Sequence, residues 1–123
     1  MQKLLIAATF MLGSLASPSF AEVVSPEAFW QHYHNSAHSG RPLIIDVRTH
    51  DEFIAGHLPN AVNIPFDRID GLATIAPDKK QSLFIYCRSG RRSGIAEEAL
   101  TKLGYTQIYN GESYQALKQT QPQ

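Results

Sequence analysis

The chain's single cysteine lies within the segment Leu83-Phe84-Ile85-Tyr86-Cys87-Arg88-Ser89-Gly90-Arg91-Arg92-Ser93-Gly94. Its first four residues form an apolar run bounded by polar residues, which is typical of a strand buried on both faces. Ser93 is a suitable N-cap for a helix that continues to Leu103 and ends at Gly104. The pattern therefore predicts a strand, a short loop and a helix, with Cys87 at the carboxyl end of the strand.

The loop after Cys87 concentrates positive charge. Arg88, Arg91 and Arg92 all follow this cysteine closely, whereas the whole chain has a formal net charge of +0. Amide groups at a helix start attract anions. Such amides and nearby cations both lower the pKa of a neighbouring thiol. Gly90 supplies the backbone freedom that an anion cradle needs. The loop therefore predicts a reactive thiolate, and the alternative is a buried, inert cysteine beside a solvated basic turn.

The beginning of the chain has the pattern of a secretory signal. Lys3 precedes an apolar run from Leu4 to about Leu15, and Ser19-Phe20-Ala21 has the small residues that signal peptidase requires. We expect residues 1–21 to be removed and the protein to be periplasmic, with no membrane attachment after cleavage. The alternative is an uncleaved membrane anchor.

The remainder has the size and composition of a single domain, for which we predict the bounds 22–118, followed by a disordered tail at 119–123. The balanced charge excludes a general attraction to nucleic acid or anionic lipid. A single cysteine cannot form an internal disulfide. We expect a monomer.

Metal and cofactor binding are not indicated. His32, His34 and His38 are close in sequence, but the first two fall on different faces of the predicted helix, and neither acid nor thiol is adjacent to them. We interpret this segment as a helix end and a polar loop, and we expect neither a metal nor an organic cofactor.

Short apolar runs alternate with helical segments along the rest of the chain. We predict strands at Leu43–Arg48, Ala61–Pro65 and Thr106–Tyr109, helices from Pro26 to about His34, at Thr49–Ala55, Phe66–Ile75 and Tyr114–Lys118, and a turn at Asn110-Gly111. Such alternation predicts an α/β protein with a parallel sheet and helices on both faces.

Polar residues interrupt the end of the strand that begins at Leu43. Asp46 and Arg48 lie there, and we favour a structural ion pair over a catalytic role because buried charges need partners. His57 could act as a general base, but hydrogen bonding that fixes a loop is the favoured interpretation.

Several separate motifs occur along the chain in the order of a known family, namely Ile45–Arg48, Glu52-Phe53, Gly56–Pro65, Tyr86–Ser93 and Gly104-Tyr105. Together they resemble the single-domain rhodaneses, most of all the small periplasmic thiosulfate sulfurtransferases of the phage-shock-protein-E type. It implies a rhodanese-like fold with a small central parallel sheet.

The resemblance also implies a thiosulfate:cyanide sulfurtransferase. The thiolate of Cys87 would attack the sulfane sulfur of thiosulfate, sulfite would leave, and the persulfide would pass its sulfur to cyanide, a small thiol or a protein thiol. The loop residues would hold the anionic groups, and three further residues would support the site. The substrate-binding residues are Arg88, Ser89, Gly90, Arg91 and Arg92, and the supporting residues are Asp46, Arg48 and Ser93.

The chain departs from the family pattern at two places. Asn60 stands where glycine is usual, and asparagine tolerates the left-handed backbone region better than most residues. The segment 110–114 lacks the usual glycine pair and tryptophan, which leaves its geometry at the site's rim open.

Two other functions are compatible with a cysteine and arginine loop. One is a phosphatase or arsenate reductase, but those enzymes have five residues between cysteine and arginine, whereas the sixth residue after Cys87 is Ser93. The other is a module that binds persulfide sulfur or docks on a partner without rapid turnover.

Overall fold

The chain forms a parallel sheet flanked by helices, in a computed structural model that describes residues 19–36 and 41–122. The strands are β1 (Phe20–Val23), β2 (Leu43–Asp46), β3 (Ala61–Asn63), β4 (Leu83–Cys87) and β5 (Gln107–Ser113). The helices are α1 (Pro26–Ser36), α2 (His50–Ile54), α3 (Leu72–Ile75), α4 (Arg91–Lys102) and α5 (Tyr114–Thr120), with a 3-10 helix at Phe66–Gly71. The strand order is β1-β5-β4-β2-β3, and all neighbouring strands are parallel. The predicted α/β class is confirmed.

The two faces of the sheet bury separate apolar clusters. One cluster places Ile45 and Ile85 against α4 and the 3-10 helix, and the other places Phe84 against α1 and α5. Every residue of β4 is buried, as the apolar run Leu83–Tyr86 predicts for a strand covered on both faces. Cys87 is therefore the last residue of a strand that is buried along its whole length.

Helix α4 begins at Arg91, so the prediction that Ser93 caps this helix is wrong. The N-cap is Gly90, whose φ of 110° lies in the left-handed region. That conformation lets the chain turn directly from the loop into the helix. Ser93 instead lies within the first turn, buried, and its hydroxyl donates to the carbonyl oxygen of Gly90 at 3.2 Å.

Strand β5 continues through Asn110-Gly111, so the predicted turn at this dipeptide is also wrong. A methyl group on Gly111 would approach the side chains of Phe29 and Leu117 to 2.6 and 2.9 Å. Glycine is thus required here by packing rather than by a turn. The pairing of β4 with β5 shifts beyond Ile85, and this irregularity accommodates one additional residue in β5.

The first strand was not predicted from the sequence. β1 pairs with β5, and the ring of Phe20 stacks on that of Tyr109 with a centroid separation of 4.7 Å. Phe20 and Ala21 belong to the predicted signal, whose residues 1–18 lie outside the described part of the chain, as does His38.

At the other end, α5 extends to Thr120, two residues into the segment for which we expected no order. Among the described residues, no helix combines the length and apolar character needed to cross a bilayer.

A buried carboxylate connects β2, β4 and the loop after α2. Asp46 is fully buried and accepts hydrogen bonds from Arg48 Nη2 at 2.6 Å and from the Tyr86 hydroxyl at 2.8 Å. The Tyr86 oxygen accepts the amide N–H of Leu58 at 3.1 Å, and Arg48 Nη2 also donates to the carbonyl of Gly56 at 2.7 Å. The predicted structural ion pair between Asp46 and Arg48 is confirmed.

Replacement of the central carboxylate is expected to destabilise the fold strongly. Asp46→Ala leaves the buried Arg48 guanidinium without its counter-charge, which should lower the free energy of unfolding by about 3–5 kcal/mol. Tyr86→Phe leaves the Leu58 amide without an acceptor and should cost about 1–3 kcal/mol. Urea unfolding followed by circular dichroism measures both.

Glu98→Ala is the matched control, because it removes the exposed pair of Glu98 with Lys102 on α4. We expect no measurable change in its unfolding midpoint. An Asp46→Ala protein as stable as this control would contradict the structural role of the network.

Candidate active site

The sulfur of Cys87 lies beneath the turn that joins β4 to α4. The residue is 1% exposed. The amide N–H of Gly90 donates to Sγ at 2.9 Å, and the thiol lies 3.4 Å from the hydroxyl oxygen of Ser93. The loop thus folds back over the sulfur and brings a backbone donor and a hydroxyl to it.

These contacts favour the thiolate. Burial is the largest influence on the pKa of Cys87 and raises it, but hydrogen bonding with the Ser93 side chain and with the amides of Ser93, Gly90 and Ser89 outweighs burial and lowers the pKa below its ordinary value. The predicted lowering of the thiol pKa therefore arises here from hydrogen bonds to the sulfur.

The arginines of the loop have different environments. Arg88 and Arg91 are exposed and form no ion pair within the described part of the chain. Arg92 is partly buried, and its two terminal nitrogens donate to the two carboxylate oxygens of Glu52 at 2.6 and 3.0 Å. Two cations are therefore available at the surface of the loop, while the third fastens the start of α4 to α2.

Glu52 has two roles, only one of which is visible in the sequence. It closes a capping box with Thr49 at the start of α2, which is a common sequence pattern. Its hydrogen bonds to Arg92 lower the pKa of the carboxyl to about 2, against an opposing effect of burial and with further help from Thr49. The bond to Glu52 is also the main reason that the pKa of Arg92 is raised, and the Cys87 thiolate contributes electrostatically. The capping box is a sufficient reason for a glutamate at position 52, so the local sequence does not indicate that Glu52 also contacts the loop.

An open cleft of about 570 Å³ lies beside the loop, lined by residues that include Arg48, Glu52, Gly56, Arg88, Tyr114 and Gln115. The guanidinium carbon of Arg48 lies 4.3 Å from the centroid of the Tyr114 ring. Tyr114 belongs to the segment 110–114 that departs from the family pattern, and it forms one wall of the cleft. A small anion in this cleft would meet Arg88 at the loop.

The remaining candidates hold the surrounding backbone. The Nδ1 atom of His57 lies 2.7 Å from the carbonyl oxygen of Phe53, and its ring stacks on the Phe53 ring with centroids 3.7 Å apart. These contacts match the favoured interpretation, in which His57 fixes the loop after α2. Asn60 has a φ of 68°, as expected for asparagine in the left-handed region. In the described residues, no group of three or more histidine, cysteine, aspartate and glutamate side chains is placed to hold a metal.

The structure brings a thiol, hydrogen-bond donors to its sulfur and two exposed arginines together at the carboxyl end of the central strand. Cys87, Gly90 and Ser93 form the sulfur's immediate surroundings, and the Asp46 and Arg48 pair lies below the adjacent cleft. This arrangement can support nucleophilic attack by a thiolate on an anion.

Comparison with known proteins identifies the family. Residues 25–115 match the model of the rhodanese-like domain. Thiosulfate sulfurtransferase PspE of Escherichia coli is 40% identical over 67 residues, which cover 54% of this chain and 64% of that protein. Human thiosulfate:glutathione sulfurtransferase is 31% identical over 85 residues, which cover 58% of this chain and 74% of that protein. The match therefore spans less than two thirds of PspE.

A solved structure has the same fold. A rhodanese with anions from E. coli superposes with a TM-score of 0.58 at 36% identity, over 61% of this chain and 89% of that one. The family match includes the whole β4, loop and α4 unit that holds Cys87. This chain belongs to the family of rhodanese-like domains.

Proposed function

We propose that the protein is a thiosulfate sulfurtransferase that carries sulfane sulfur as a persulfide on Cys87. The observation that carries this proposal is the Gly90 amide donating to Sγ at 2.9 Å, within a loop that lowers the pKa of the thiol. The names of PspE and of the human relative, both of which specify thiosulfate, support the choice of donor.

In the first half-reaction, the Cys87 thiolate attacks the outer sulfur of thiosulfate. A bond forms between Sγ and that sulfur, the bond between the two sulfur atoms of thiosulfate breaks, and sulfite leaves with the electron pair. The product is a persulfide anion on Cys87. We infer that amides of the same loop also stabilise the terminal sulfur, which carries the negative charge of the persulfide, and that the exposed Arg88 and Arg91 favour the approach of a dianion.

In the second half-reaction, a nucleophile attacks the terminal sulfur of the persulfide. When cyanide attacks, it takes the sulfur and becomes thiocyanate. When a thiolate attacks, it becomes a new persulfide. In both cases the Cys87 thiolate is regenerated as the leaving group, which its lowered pKa favours. The acceptor classes are cyanide, a small thiol and a protein thiol.

The contacts of Arg92 distinguish this function from that of a phosphatase or arsenate reductase. Those enzymes direct a loop arginine at the oxyanion, whereas Arg92 here is bound by both oxygens of Glu52. The sixth residue after Cys87 is Ser93, whose hydroxyl approaches the sulfur. We therefore expect no hydrolysis of p-nitrophenyl phosphate.

We also propose that the protein is exported to the periplasm and acts there as a monomer. The leader-like pattern at 1–21 supports export. Amino-terminal sequencing of protein from a periplasmic extract tests the cleavage, and light scattering after size exclusion tests the monomer. Protein retained in the cytoplasm, or a stable dimer, would contradict the corresponding proposal.

Turnover is expected to depend entirely on Cys87. Thiocyanate formation from thiosulfate and cyanide should be readily measured for the unaltered protein and reduced to background in Cys87→Ala, because no other thiol is present. Glu98→Gln, a change on the exposed side of α4, should retain full activity. Equal thiocyanate formation by Cys87→Ala, or cysteine-dependent hydrolysis of p-nitrophenyl phosphate, would contradict the proposal.

The pH dependence of the thiol is expected to shift when the Ser93 hydroxyl is removed. That hydroxyl helps to lower the pKa of Cys87, so the thiolate persists to lower pH than that of a free cysteine, and Ser93→Ala should move the midpoint of alkylation by iodoacetamide upward. Thr101→Ala is the matched control, since it deletes a hydroxyl that bonds within the same helix to the Glu97 carbonyl. If both variants keep the original midpoint, Ser93 does not stabilise the thiolate.

A further inference from the structure

Glu112 has a backbone conformation that is uncommon for a residue with a side chain. Its φ of 64° lies in the left-handed region. Its amide N–H donates to Asn110 Oδ1 at 3.0 Å, and the buried Asn110 in turn donates through Nδ2 to Glu97 Oε1 on α4 at 3.1 Å. Residues in such conformations persist where the surroundings hold them, and they cluster at functional sites.

The held conformation directs the side chain of Glu112 onto the loop that covers the sulfur. A methyl group built on Gly90 would lie 2.7 Å from Oε2 and 3.0 Å from Cδ of Glu112, so the carboxylate packs directly on Gly90. The amide of the same glycine donates to Cys87 Sγ at 2.9 Å. With ordinary bond lengths, these contacts place the carboxylate within about 9 Å of the sulfur.

The carboxylate also lacks a counter-charge. No ion pair or hydrogen bond of its oxygens occurs within residues 19–36 and 41–122, and the side chain is only partly buried. The site therefore has exposed cations at Arg88 and Arg91 on the loop side and a carboxylate without a counter-charge at Glu112 on β5. Unpaired charges around a reactive atom discriminate between charged ligands and change their rates of association.

We propose that Glu112 is a specificity-determining residue that selects substrates by charge. Its carboxylate slows loading by dianionic thiosulfate and favours acceptor thiols that carry an ammonium group. In the acceptor step, the thiolate attacks the terminal sulfur of the Cys87 persulfide, a new S–S bond forms on the acceptor, and the bond to Sγ breaks to return the Cys87 thiolate. This inference rests on the proposed sulfurtransferase function.

The test uses three acceptors with the same two-carbon spacing from sulfur to the charged or polar group. Cysteamine carries an ammonium, 2-mercaptoethanol is neutral and 3-mercaptopropionate is anionic. Protein loaded with thiosulfate and freed of excess donor is mixed with each thiol, and the loss of persulfide is followed in a single turnover. Comparing each acceptor's rate in a variant with its rate in the unaltered protein cancels the intrinsic reactivity of the thiol.

Glu112→Gln keeps the shape of the side chain and removes its charge. We expect its second-order rate constant to fall about three- to tenfold with cysteamine, to stay within about twofold with 2-mercaptoethanol, and to rise with 3-mercaptopropionate. The rate constant for loading by thiosulfate should rise by a similar three- to tenfold factor, and high salt should reduce all these differences. Glu98→Gln should match the unaltered protein in every rate.

A second variant separates charge from backbone effects. Glu112→Gly removes the carboxylate and adopts the left-handed conformation readily, so it should show the same changes in selectivity. If the unaltered protein loads sulfur but neither variant changes the ratio of the cysteamine and 3-mercaptopropionate rates, the role of Glu112 is overturned while the proposed function stands. If the unaltered protein takes no sulfur from thiosulfate, the proposed function fails, and this inference fails with it.

Discussion

The hydrogen bond from the Gly90 amide to the Cys87 sulfur is the interaction on which the site depends. It requires a strand that ends at Cys87, a left-handed residue three positions later, and a helix that begins at once. The sulfur is buried, which alone would favour the neutral thiol, so the donors around it decide its charge. We propose that amides of the same loop also stabilise the terminal sulfur of a persulfide on Cys87, where its negative charge would lie.

Two ion pairs hold this loop relative to the rest of the sheet. Asp46 pairs with Arg48 and also accepts a hydrogen bond from the Tyr86 hydroxyl, while Arg48 donates to the Gly56 carbonyl. These contacts fix the ends of β2 and β4 and the loop after α2. The pair of Glu52 with Arg92 connects α2 to the first turn of α4. Both pairs therefore hold residues around the cleft in place before a substrate arrives, which would reduce the reorganisation needed during the proposed sulfur transfer.

The sequence predicted the fold class, the buried central strand and the position of the thiol, because each depends on local patterns of apolar residues and charge. It failed where long-range packing decides. Asn110-Gly111 has the composition of a turn, yet glycine is required at 111 because Phe29 of the distant α1 and Leu117 of the following α5 both pack on it. Ser93 has the composition of a cap, but the turn at Gly90 places it beside the sulfur instead. The contact of Glu112 with Gly90 depends on a bulge between β4 and β5 that no local pattern indicates.

The mass of the intact protein after brief treatment with thiosulfate alone shows whether Cys87 takes up a sulfur atom. If the loop forms and stabilises a persulfide, the unaltered protein gains one sulfur atom, about 32 Da, and loses it again when cyanide or a reducing thiol is added. Cys87→Ser, treated in the same way, gains nothing. An unaltered protein whose mass does not change, or a Cys87→Ser protein that gains the same mass, would rule out a persulfide on Cys87.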